Sequence, residues 1–149
     1  RPVVFSHSNL RSVWEHPRNI TDDQARAAAD TGGVVGITGV GIFLGPNTPT
    51  LEAMVRHLER AVEVVGIRHV GVSTDFSFDW ETFRDEIARM PELYDASYTR
   101  WGPMEWMPPE TFVLLGSALA ARGWNDTDVA AVLGGNFRRV AAESWEPLS

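Results

Sequence analysis

The run Val65-Gly66-Ile67-Arg68-His69-Val70-Gly71-Val72-Ser73-Thr74-Asp75-Phe76 packs a helix end, a glycine break, a short apolar strand and a carboxylate into one segment. A strand this short and this apolar, with no polar alternation, is covered on both faces, as strands of a parallel sheet are. Upstream, Leu51, Met54, Val55, Leu58, Ala61, Val62 and Val65 recur at spacings of three and four. That period predicts a helix starting at or just before Thr50 and ending at Gly66.

The same rhythm extends outward. Val34-Val35-Gly36-Ile37-Thr38 predicts a second buried strand, and Gly39 to Thr50 a loop. Thr21-Asp22-Asp23-Gln24 is a capping box that opens a helix through Ala25-Arg26-Ala27-Ala28-Ala29, stopped at Gly32-Gly33. Val3-Val4-Phe5 predicts a first buried strand, ended by Ser6-His7-Ser8-Asn9. Strand, helix, strand, helix, strand implies right-handed βαβ units and a parallel sheet. Residues 77–108 break the rhythm with a short helix from Trp80 to Arg89 and a proline-rich loop carrying Trp101 and Trp106. A connection of that length suits a lid or binding loop, although packing is the default role for either tryptophan alone. Helices are expected over Glu110 to Ala121, from Thr127 to Leu133 with a stop at Gly134-Gly135, and over Phe137 to Glu143.

Three strands cannot close a barrel, and a three-stranded parallel sheet has two bare edges. The expectation is a piece of a larger α/β barrel. A small doubly wound domain is the alternative, but no glycine-rich phosphate loop follows the first strand. The chain does not begin with Met and opens directly on a strand-like run, which fits a fragment or a processed chain.

Bulk properties exclude several function classes. The 149 residues carry 13 Lys and Arg against 20 Asp and Glu, for a net charge of -7. An acidic chain without a basic patch is a poor partner for nucleic acid or an anionic membrane surface. No run is apolar enough to span a bilayer. The absence of cysteine removes disulfide and thiolate-metal chemistry and fits a reducing cytoplasm, the expected location.

In a parallel α/β barrel, reactive groups lie at the carboxyl ends of strands. By that rule the first strand delivers His7, the second Thr38 and the third Asp75, all to one rim. A histidine and an aspartate placed so suit a metal ligand and a proton-transfer group. From the residues alone, a histidine placed like His7 is more often a hydrogen-bonded structural residue than a ligand, Asp75 is equally readable as a cap, and a solvated surface charge is the default for Arg18. His16, His57 and His69 make no convincing ligand set.

Three blocks, in order and in register, resemble the renal (membrane) dipeptidase family. The first is Phe5-Ser6-His7-Ser8-Asn9, followed by His16-Pro17-Arg18-Asn19 and Thr31-Gly32-Gly33-Val34-Val35-Gly36. The second is the segment from Val65 to Phe76. The third is Leu133-Gly134-Gly135-Asn136-Phe137-Arg138-Arg139-Val140. The resemblance implies the C-terminal part of a distorted (β/α)8 barrel, residues 1–149 being that portion of one domain and the N-terminal portion lying outside the chain. It implies hydrolysis of dipeptides, often with a D-residue at the C-terminal position, at two zinc ions bridged by a glutamate. It makes His7 a zinc ligand, Arg18 the clamp on the substrate carboxylate, and Asp75 the proton-transfer group beside the metal-bound water. Two metals would lower that water's pKa and polarise the scissile carbonyl.

The family's His-x-Asp pair, bridging glutamate and second zinc histidine have no counterpart here, so the chain supplies one zinc ligand. Thr38-Gly39-Val40-Gly41-Ile42-Phe43 and Asp75-Phe76-Ser77-Phe78-Asp79 depart from the family's usual rim residues, which bears on the substrate class. The expected partners are a small dipeptide, the N-terminal half in the same or a separate chain, and a second copy in a homodimer. A related amidohydrolase acting on another small amide or a lactone, and a non-catalytic barrel remnant, are the competing readings.

Overall fold

The computed structural model describes residues 1–145. Its centre is a three-stranded parallel sheet in the order β1 (Val4–Phe5), β2 (Val34–Thr38), β3 (Val70–Ser73). The register pairs Val4 with Val34 and Phe5 with Val35, then Val35 with Val70 through to Thr38 with Ser73. All three strands therefore end at one edge of the sheet. Every residue of β2 is buried, as its unbroken apolar sequence predicts.

Helix α1 (Asp22–Asp30) connects β1 to β2 and begins with the predicted box. The Thr21 hydroxyl accepts from the Gln24 N–H, and the Gln24 side chain accepts from the Thr21 N–H. Helix α3 (Leu51–Val65) connects β2 to β3, is capped by Thr50, and buries Met54, Val55, Leu58 and Ala61. It stops where Gly66 takes φ 79°, a backbone region that favours glycine. A 3₁₀ turn over Ile67–His69 separates it from β3, so His69 lies just before the strand.

Later elements are α4 (Trp80–Arg89), α5 (Leu115–Ala121), α6 (Asp126–Ala130) and α7 (Asn136–Ser144). Leu115 and Leu119 of α5, with Val132, complete the core against α3 and β2. Asn136 docks α7 on the sheet, its side-chain amide donating to the Ile67 and Val70 carbonyls at 2.7 Å each.

Four expectations shift. The loop after β2 contains a one-turn helix, α2 (Gly41–Leu44), whose residues are all buried. The helix expected from Glu110 is a 3₁₀ turn over Pro109–Leu114 that becomes α-helical at Leu115. The helix expected to stop at Gly134-Gly135 bends there instead, through non-helical backbone at Gly134, and continues into α7. Finally, β1 is an edge strand rather than a buried one: Val3 and Val4 are exposed, because no element covers that side among the described residues. No helix among the described residues is long and apolar enough to cross a membrane.

Candidate active-site rim

The rim is built first by the segment after β1. Pairing with β2 continues past the strand, with the Ser8 N–H donating to the Gly36 carbonyl at 2.8 Å. Asn9, fully buried, then clasps the end of β2: its Nδ2 donates to the Thr38 carbonyl and its Oδ1 accepts from the Thr38 N–H at 2.8 Å. Isolated pairing of Leu10 with Ile20 closes the loop between them. His7 rides on this frame, half-buried, with Nδ1 2.7 Å from the Ser6 hydroxyl. Nδ1 is thereby occupied by a protein partner, which leaves Nε2 as the ring's outward lone pair or proton.

Arg18 is held from three directions. Its backbone N–H donates to His16 Nδ1 at 3.1 Å. Its guanidinium donates to the Ser8 hydroxyl at 3.1 Å and to the His7 carbonyl at 3.2 Å, and stands 5.8 Å from the Phe43 ring centre. The clamp leaves guanidinium N–H groups free of these bonds, since a guanidinium carries five donors. His16 is buried, and its ring meets Phe43 and Tyr98 edge-on at 5.0 and 5.8 Å. Burial holds its pKa below the ordinary value of 6.5. With Nδ1 accepting, the neutral ring carries its proton on Nε2.

Asp75 lies just past β3 at φ 48°, left-handed backbone that aspartate tolerates better than most residues. A non-glycine residue held there is a recurrent mark of functional sites. Its carboxyl is raised above the usual value by desolvation in the cleft, against which His7 and Arg18 pull it down. A solvent-accessible carboxylate that still feels desolvation is one set in the wall of a cleft rather than on open surface.

His7, Arg18 and Asp75 come from three segments and line one cavity of about 310 Å³. The structure thus brings together all three predicted site residues. His57 and His69 stand apart, as expected: His57 is buried in the core, and His69 Nδ1 lies 2.8 Å from the Gly33 carbonyl. The same cavity also has an apolar wall that the sequence reading largely missed. Phe43, Phe83, Tyr98, Met104 and Trp106 line the same cavity. Trp101 and Trp106 were both candidates for that wall; Trp106 lines the cavity, whereas Trp101 does not and packs on Trp14 at 6.0 Å. The signal available was the density of aromatic residues between 76 and 106.

Among the described residues, no group of three or more His, Asp or Glu side chains comes together as a metal site. This chain's donors alone do not fit a bound metal ion, because a catalytic zinc needs about three protein ligands.

A polar cluster and a cleft at the carboxyl edge of a parallel sheet stand where the active sites of α/β barrels are built. The comparisons agree. The chain belongs to the membrane dipeptidase family (peptidase family M19), whose sequence profile matches residues 1–146. It is 31% identical to dipeptidase verJ of Clonostachys rogersoniana over 99% of this chain and 33% of that protein. An amidohydrolase structure from Pseudomonas aeruginosa superposes with a TM-score of 0.79 at 30% identity, covering 97% of this chain and 46% of that one. A Rhodobacter sphaeroides metallopeptidase, solved with a phosphinate mimic of L-Ala-D-Ala, superposes at 0.70 with 21% identity over 97% and 36% of the chains, a likeness of fold alone. The chain therefore carries part of the family's TIM-type barrel and spans about half or less of the length of these relatives.

Proposed function

We propose that the protein containing this chain hydrolyses the amide bond of dipeptides at a zinc centre of two ions, which the rest of the barrel completes. The observation that carries this reading is the convergence of His7, Arg18 and Asp75 on one cavity. His7 contributes one ligand through Nε2, its Nδ1 being oriented by Ser6. Arg18, fixed by Ser8 and the His7 carbonyl, directs its remaining N–H groups at the substrate's terminal carboxylate. Asp75, with its pKa raised by desolvation, takes and returns a proton at its carboxylate oxygen. The metal, when bound, supplies Lewis-acid polarisation and an activated water.

The test is zinc content together with dipeptide turnover before and after chelation, on the whole enzyme and on His7→Ala. Stoichiometric zinc, chelator-sensitive hydrolysis and weakened zinc retention in the variant are expected. Metal-free protein that still cleaves dipeptides refutes the reading. The similarity to a protein described as an amidohydrolase favours a second reading, hydrolysis of another small amide. A zinc-loaded enzyme that cleaves such amides and no dipeptide selects it.

A further inference from the structure

The apolar side of the cavity has a chemical meaning that the three polar residues do not supply. Its side chains are packed into one another. Phe43 meets Tyr98 edge-on at 6.0 Å, Phe83 meets Trp106 at 5.9 Å, and Tyr94 bridges Phe83 and Tyr98 at 6.3 and 5.6 Å. With Val40, Ile42, Ile87 and Met104 they form a second hydrophobic cluster, separate from the main core.

The wall is also pinned by its backbone. Val40 and Trp106 pair as an antiparallel bridge, the Gly41 N–H donates to the Glu105 carbonyl at 2.8 Å, and the Met107 N–H donates to the Gly39 carbonyl at 2.8 Å. Asn47 accepts from the Glu105 N–H at 3.0 Å and donates to the Pro103 carbonyl at 2.8 Å. Arg84 donates twice to the Met104 carbonyl, at 3.0 and 2.8 Å. A surface held this way is ready before a ligand arrives and binds apolar groups without an ordering cost.

Its position fixes which part of a substrate meets it. Phe43 is both a member of the wall and the ring beside the Arg18 guanidinium. A carboxylate held on Arg18 therefore places the side chain of its own residue against the wall. Besides His7, Arg18 and Asp75, the polar lining is two hydroxyls, those of Ser77 and Tyr98. Once Arg18 holds the carboxylate and Asp75 faces the scissile bond, no further carboxylate, lysine or arginine remains among the residues lining this cavity to match a charged substrate side chain.

We infer that residues 83–106, with Phe43, form a side-chain subsite that selects dipeptides whose C-terminal residue is bulky and apolar. The inference rests on the dipeptidase reading above. It is tested on the zinc-loaded whole enzyme by kcat/KM for Ala-Leu, Ala-Phe, Ala-Gly, Ala-Asp and Ala-Lys, repeated with Tyr98→Ser and Trp106→Gln. Within one preparation, the ratio between two substrates does not depend on the fraction of protein folded. Ala-Leu and Ala-Phe are expected to exceed the charged and glycyl substrates by about tenfold or more, and each variant to shrink that ratio toward one. Equal or better turnover of Ala-Asp or Ala-Lys overturns the inference while leaving the dipeptidase reading intact, as does a ratio that neither variant changes. No turnover of any dipeptide overturns both.

Discussion

His57 offers the sharpest quantitative test of how this fold is held together. Its ring is fully buried at the middle of α3. Nδ1 accepts from the Leu10 N–H at 3.3 Å, so Nε2 carries the proton and donates to the Leu44 carbonyl at 3.3 Å. One neutral imidazole thus ties the rim loop after β1 to α2. Desolvation pushes its pKa down from 6.5 to about 4, outweighing the raising effect of the Leu44 carbonyl. The unfolded chain takes up a proton as pH falls through 6.5, whereas the folded chain refuses it until about 4. Stability is therefore complete above pH 6.5, falls as pH drops, and levels off below 4, because the unfolded state binds more protons in that window. The size follows from about 1.4 kcal/mol per pKa unit, or about 3 kcal/mol in all. His16, also depressed by burial, adds loss of the same sign. The assay is urea unfolding by tryptophan fluorescence from pH 7 to 4, comparing the parent with His57→Gln, which keeps a donor and an acceptor but cannot titrate. The parent should lose about 3 kcal/mol more than the variant across that range. Parallel pH curves, or a side-chain ¹⁵N titration of His57 near 6.5, refute the reasoning.

Two further predictions concern the frame of the rim. Asn9→Ala removes both side-chain partners of Thr38 and leaves a buried N–H and C=O unpaired; a loss of about 3 kcal/mol is expected by chemical denaturation. Gly71 admits Phe137 so closely that an added Cβ would stand 2.4 Å from Phe137 Cε2. Gly71→Ala should destabilise by about 2 kcal/mol from overpacking, and in the Phe137→Leu background by at least about 1 kcal/mol less, as a double-mutant cycle would report.

The order of elements and the polar side of the cavity were legible because each has a short-range signature. The capping box at Thr21, the heptad-like spacing in α3 and the glycine at 66 are local rules, and the structure obeys them. His7 and Asp75 followed from strand ends and parallel topology, and Arg18 from the resemblance of its Pro17-Arg18-Asn19 block. What escaped depends on contacts between distant segments. Phe43 sits in a turn of helix too short to show a period, and it reaches Tyr98 across a long separation in sequence. Past α4, residues 90–108 are short turns without periodicity, so their aromatic residues could be counted but not aimed. The burial of His16 and His57 was equally hidden, since a histidine's polarity says nothing of which backbone groups will satisfy it. The exposed β1 shows the converse: Val3-Val4-Phe5 reads as a buried strand, and it is an edge in this chain.

The central claim is that Arg18 and the groups around it form the carboxylate end of a dipeptide site. The most direct measurement compares kcat/KM of the zinc-loaded whole enzyme for Ala-Leu and Ala-Leu-amide, in the parent and in Arg18→Met. Loss of a charge-assisted bidentate contact is expected to cost the parent about tenfold or more on the amide. In Arg18→Met that preference for the free acid should disappear, with the acid falling to the level of the amide. An undiminished preference in the variant would contradict the account.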